Sequence, residues 1–182
     1  YHAFTANMKD FPMEALGRRG RCTPWVRWLG NEQFLFLSGS PGLVAYRFKP
    51  GKYGEMAVPA AAICARANRR LKVNWLDHEP QGTNEAWIWM DGTNGQPRDG
   101  KDQPEEYVSF GKVSGQTGAR WHIDGAGDVW HTGWHTDYLV RLSFAGLNNG
   151  VPTWDKREAV AAPEPFNQVR RCRYDVETDT MI

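Results

Sequence analysis

Cysteine is nearly absent from this chain: Cys22, Cys64 and Cys172 are the three among 182 residues, and no Cys-x-x-Cys pair occurs. That excludes a zinc knuckle and a disulfide-stapled scaffold, and an odd count leaves at least one thiol without an intrachain partner. No apolar run is long enough to span a membrane. Charge of neither sign prevails, since 22 Lys and Arg against 21 Asp and Glu leave a net +1. Nothing in that balance favours nucleic acid or an anionic lipid surface. The sequence also lacks a Gly-x-Ser-x-Gly nucleophile elbow and the phosphate-cradling Gly loops of nucleotide folds. The familiar hydrolase and nucleotide-binding signatures are therefore absent.

What is present is Trp, Gly and Pro: nine, 19 and 11 residues, spread along the chain. The length is that of one domain with a real core. Many Gly and Pro imply many turns, and many Trp need apolar surface to cover and partners for the indole N–H. Short apolar and aromatic runs bounded by Gly, Pro, Asn or Asp read as strands. They lie at 25–29, 34–37, 43–48, 71–76, 86–90, 107–110, 119–123, 128–131, 138–144 and 168–174. Val58–Arg70 has helical composition with Pro59 in a first turn, yet its Ala-rich run fits a buried strand equally well. The chain opens at Tyr1 without Met and closes inside a strand-like run, which reads as an excerpt of a longer protein.

Gly30-Asn-Glu-Gln-Phe-Leu-Phe36 resembles Gly125-Ala-Gly-Asp-Val-Trp130, and each is followed by a strand carrying Arg: Leu43-Val-Ala-Tyr-Arg47-Phe48 and Tyr138-Leu-Val-Arg141-Leu-Ser-Phe144. With Asn84-Glu-Ala-Trp-Ile-Trp89 between them, the anchors Phe36, Trp89 and Trp130 mark a period of roughly 40–50 residues, as propeller blades do. Asp124-Gly-Ala-Gly-Asp-Val-Trp130, the strand to Phe144 and the turn Gly146-Leu-Asn-Asn-Gly150 resemble the blade hairpin of NHL-type and gluconolactonase/regucalcin-like β-propellers. Trp89-Met-Asp91…Asn94…Asp99-Gly100…Glu105-Glu106 resembles a Trp-x-Asp-x-Asn-x-Asp-Gly…Glu element of large secreted bacterial propellers. The resemblance implies an all-β fold: a partial β-propeller of about three to four blades, each a four-stranded antiparallel sheet. Residues 1–182 would then be a fragment of one propeller domain, completed by further blades of the same polypeptide. Trp25, Trp28, Phe34, Phe36, Trp87, Trp89, Trp121, Trp130 and Phe144 would fill its inter-blade layers. A β-sandwich is the alternative.

Residues 91–106 are acidic and Gly-containing. Calcium takes about six to eight oxygen ligands. An EF-hand-like reading puts Asp99 at loop position five, Gly100 at six, the Lys101 carbonyl at seven and Glu106 at twelve, with Asp91 and Asn94 supplying the first ligands. Asp102 falls at position eight and should matter little. Gln96-Pro97-Arg98 interrupts the front half, and the competing reading is a solvated acidic turn. Calcium, if bound, would be structural.

The remaining polar candidates carry less. His131 and His135 are four apart without the Glu of His-Glu-x-x-His, which reads as an exposed pair. His122 faces away from Trp121 and Ile123, toward solvent or a channel, and His78 sits in a polar connection. The calcium-dependent lactonases that share the propeller fold line its channel with Glu, Asn and Asp, and no position here matches them. The functional expectation is a non-catalytic, secreted (extracellular or periplasmic) module, calcium-stabilised, that engages a protein or carbohydrate ligand. The alternative is a metal-dependent propeller hydrolase of lactonase type, or a sugar oxidoreductase.

Overall fold

The structure, a computed structural model, describes residues 4–6, 23–38, 42–52, 54–64, 76–80, 85–112, 120–132, 138–162, 164, 174–175, 177–178 and 180–181. In chain order the strands are β1 (Phe4–Ala6), β2 (Thr23–Leu29), β3 (Glu32–Ser38), β4 (Gly42–Gly51), β5 (Gly54–Cys64), β6 (Glu85–Met90) and β7 (Tyr107–Lys112). They continue as β8 (Arg120–Ile123), β9 (Val129–Thr132), β10 (Tyr138–Asn148), β11 (Val151–Ala161), β12 (Tyr174–Asp175) and β13 (Thr180–Met181). One 3-10 turn, Pro104–Glu106, precedes β7. Strands β2 to β7 form an antiparallel meander in chain order, with β1 parallel to the first half of β5. Strands β8 to β11 form a second antiparallel meander, and β12 and β13 pair with each other.

Side chains alternate across a strand, and in the first sheet both faces are buried. Phe34 and Phe36 point to one side, Leu35 and Leu37 to the other, and all four are buried. Strands buried on both faces read as continuous apolar runs rather than alternating ones. That is why Val58–Cys64 is strand: β5 lies between β4 on one edge and β1 and β6 on the other, and its Ala side chains let both faces close. Pro59 is accommodated beside a register shift, where Tyr46 opposes Pro59 and Ala45 opposes Ala61. Pro in a sheet is confined to such irregularities and to edges.

The two sheets share one core. Phe34, Phe36, Ile63 and Ile88 of the first pack in the same cluster as Ile123, Leu142 and Trp154 of the second. Burial of each large apolar side chain there contributes roughly 1.5–3 kcal/mol. The edges β2 and β8 are tied by Arg27, whose Nε donates to the Ile123 carbonyl at 3.3 Å.

The protein is thus all-β, built on two antiparallel sheets. The second sheet has four strands, but the first is larger than a four-stranded blade: β3 and β6, which carry Phe36 and Trp89, share it, while Trp130 on β9 lies in the second. The resembling segments around Phe36 and Trp130 fall in two meanders, β2-β3-β4 and β8-β9-β10, one in each sheet, and Trp89 lies on β6 outside both. Strand β11 escapes a reading for apolar runs because Asp155-Lys156-Arg157-Glu158 lies mid-strand at positions that are exposed or half-buried. Of the expected core aromatics, Trp28 is 60% exposed on edge strand β2. The expected strands at 71–76 and 168–174 fall almost entirely outside the described residues.

Candidate functional site

Strands β6 and β7 are antiparallel neighbours, a pair that a turn of about two to five residues can join. Here the connection is residues 91–106. Connections this long without extended structure of their own are usually functional or disordered. This one is ordered, and its own side chains hold it.

Asp91 starts the loop. Its N–H donates to the Ala60 carbonyl at 2.9 Å, beside the irregularity in β5. Its Oδ1 accepts the Gly100 N–H at 2.9 Å, and its Oδ2 lies 2.9 Å from Arg47 Nη2. The same Arg47 nitrogen donates to the Arg98 carbonyl at 3.1 Å. Arg47 stands on β4 opposite Phe34 and is 2% exposed. Desolvation pulls its guanidinium below the ordinary Arg value, with the Asp91 charge opposing. Desolvation likewise raises the Asp91 carboxyl, against the Gly100 hydrogen bond and the Arg47 charge.

Glu106 ends the loop and is fully buried. Its Oε2 accepts the Trp89 indole N–H at 2.6 Å and the Gln103 N–H at 3.0 Å, and its Oε1 accepts the Gly92 N–H at 2.5 Å. One carboxylate therefore joins both stems and the loop's start. Burial pushes its carboxyl up, opposed by these three hydrogen bonds. A third buried carboxylate, Asp102, reaches outward from the loop. It accepts the Asp77 N–H at 2.9 Å, the His78 N–H at 2.6 Å and the Tyr107 hydroxyl at 2.7 Å. The His78 ring stays half-exposed, with Nδ1 2.9 Å from the Asp102 carbonyl. Tyr107 is pushed far above the ordinary phenol value by burial and by the Asp102 contact.

The residues expected to bind calcium are thereby placed. Asp91 and Glu106 are buried on protein partners. Asn94 is exposed, in a left-handed conformation (φ 54°), and its side-chain amide donates to the Glu105 carbonyl. Asp99 is exposed and accepts the Lys101 N–H at 2.9 Å, and the Lys101 side chain is exposed. These groups do not converge, and among the described residues no group of three or more His, Cys, Asp or Glu is arranged to hold a metal. Asp102, expected to matter little to calcium binding, is the anchor to segment 76–80. Arg47 and Tyr107 were not legible as partners of the loop, nor Asp102 as its anchor; the one hint was Arg47 in the repeated strand.

The second Gly-rich turn is held by the same device. Asp124 Oδ1 accepts the Ala126 and Asp128 N–H groups at 3.0 and 2.9 Å, and Oδ2 accepts the Trp130 indole N–H at 2.8 Å. Asp128 Oδ2 accepts Arg141 Nε at 2.6 Å, and Oδ1 accepts the Phe144 N–H at 2.8 Å. Trp with carboxylate and Arg with Asp thus recur: Trp89–Glu106 and Arg47–Asp91, then Trp130–Asp124 and Arg141–Asp128. No family model, curated protein or solved structure matches the chain. The resemblance of 124–150 to propeller hairpins therefore stands on those residues alone, and their contacts give the motif a turn-locking role here. His122 and His131 are both buried, against Trp25 and Trp121 respectively, rather than exposed. His135 lies outside the described residues.

Proposed function

We propose that this chain is a non-catalytic binding module that offers the outer surface of the 91–106 loop to a ligand. One observation carries the reading: a connection far longer than β6 and β7 require is fixed from within by three buried carboxylates, Asp91, Asp102 and Glu106. Burying carboxylates is costly unless each is paired and hydrogen-bonded, and a turn of about two to five residues would join β6 and β7 without them. Fixing a loop in advance lowers the ordering cost of binding. The two-sheet core supports a sandwich as the scaffold that displays it.

The outward side chains Asn94, Arg98, Asp99, Lys101 and Glu105 carry both charge signs and no aromatic ring. Such a surface favours a protein ligand over a sugar, which stacks on aromatic faces. A secreted setting belongs to the same proposal. The test is selection of binders from a displayed library of protein fragments, with a glycan array in parallel. The charge-swapped pair Lys101→Glu with Glu105→Lys serves as control. Protein binders that lose at least about tenfold in affinity on the swap, with melting temperature unchanged, support the reading. Binders indifferent to the swap, glycan binding alone, or turnover of a lactone or sugar would overturn it.

A further inference from the structure

We propose that the Arg47 guanidinium is the resident cation of the 91–106 loop, doing from the protein's own chain what a bound divalent ion does in acidic loops of this composition. A guanidinium that served the core would bond to core groups. Of the three Arg47 nitrogens, only Nη2 has partners, and both are loop oxygens: it forms an ion pair with Asp91 Oδ2 at 2.9 Å and donates a hydrogen bond to the Arg98 carbonyl at 3.1 Å. A carboxylate and a backbone carbonyl are the hard oxygen donors that calcium takes. Together with the Gly100 N–H on Asp91 Oδ1, this one cation joins residues 91, 98 and 100. A fixed positive charge, 2% exposed and within bonding distance of both oxygens, excludes a divalent ion by repulsion and by volume.

The second turn supports the assignment independently. Arg141, on β10 opposite Trp130, bonds through Nε and Nη2 to Asp128, whose other oxygen fixes the Phe144 N–H. A strand-borne Arg neutralises the turn carboxylate in both sheets. The Arg47 inference does not depend on whether the loop binds a partner.

The experiment uses the full chain and two readouts, melting temperature and hydrogen exchange at the Gly100 amide. In wild type both should be the same in chelator and in millimolar calcium. Arg47→Ala should lose at least about tenfold of the Gly100 protection. Millimolar guanidinium should restore that protection, whereas sodium chloride at equal ionic strength should not. Should Arg47→Ala fail to fold, Asp91→Asn reads the pair from the other side and should loosen the Arg98–Gly100 segment in the same way. A wild-type melting temperature that climbs with calcium would overturn the proposal. So would unchanged Gly100 protection in Arg47→Ala or Asp91→Asn, or a loss in Arg47→Ala that guanidinium fails to restore.

Discussion

Removing the Glu106 carboxylate should be among the most damaging single changes in the described structure. Glu106→Ala orphans three donors at once: the buried Trp89 indole N–H and the N–H groups of Gly92 and Gln103. A donor left unsatisfied in the interior costs about 1–3 kcal/mol. Gly92 and Gln103 are half-buried, so water can recover part of their loss. The expected cost is therefore roughly 3–6 kcal/mol. Glu106→Gln is a graded control. Its oxygen can keep Trp89 and Gln103, while its amide faces the Gly92 donor, so roughly 1–2 kcal/mol is expected. In a chain of this size each kcal/mol shifts the melting temperature by about 2–4 °C. Urea denaturation of the three proteins, with slopes compared, measures both costs. The reasoning fails if Glu106→Ala costs under about 1 kcal/mol, or if Gln and Ala are equally damaging.

Three further outcomes are expected. Asp102→Asn keeps one acceptor oxygen for the Asp77 and His78 N–H groups and the Tyr107 hydroxyl; it should cost about 1–3 kcal/mol in denaturant, and a neutral result would return Asp102 to the role of a solvated turn residue. Gly127→Ala should destabilise by roughly 2–4 kcal/mol, because φ is +94° and the added Cβ would lie 2.8 Å from Leu29 Cδ2 and 3.0 Å from the Phe144 ring; a melting temperature equal to wild type would contradict that packing. Burial raises the carboxyls of Glu106 and Asp91 above their ordinary range, so as pH falls the folded chain takes up these protons before the unfolded chain does. Stability should then rise as pH falls through the raised folded values toward the ordinary carboxylate range, by up to about 1.4 kcal/mol per pH unit for each group, and Glu106→Gln should flatten that slope. Denaturation midpoints that drop steadily over the same window would contradict it.

How far the sequence could be read follows from which forces are local. Strands β2, β3, β4, β6, β9 and β10 were legible because each pairs an apolar run with turn residues at its ends. Sheet membership was not. A meander and a blade share the same local pattern, and only the packing of Phe34 and Ile63 against Ile123 and Trp154 tells them apart. The loop was legible as acidic, Gly-containing and exceptional. Its chemistry was not, because the partners that decide it are distant in sequence: Arg47 is on β4, and Asp77 and His78 precede β6. A charge count over 91–106 sees five carboxylates and no strand-borne cation. The Asp102 anchor was hidden for the same reason, since loop position says nothing about burial. The repeated Arg, at 47 and 141, was the one signal that could have suggested a built-in counter-ion.

The central claim is that buried carboxylates and one Arg hold the 91–106 loop in a single shape without an ion. Hydrogen exchange of the wild-type chain in chelator tests it most directly, read at Gly92, Gly100 and Gln103 in the loop and at Asp77 and His78 beside it. The account predicts protection at all five amides approaching that of the β6 amides, since each donates to a carboxylate of Asp91, Asp102 or Glu106. Exchange at the rates of an unstructured peptide, with protection gained only when calcium is added, would contradict it.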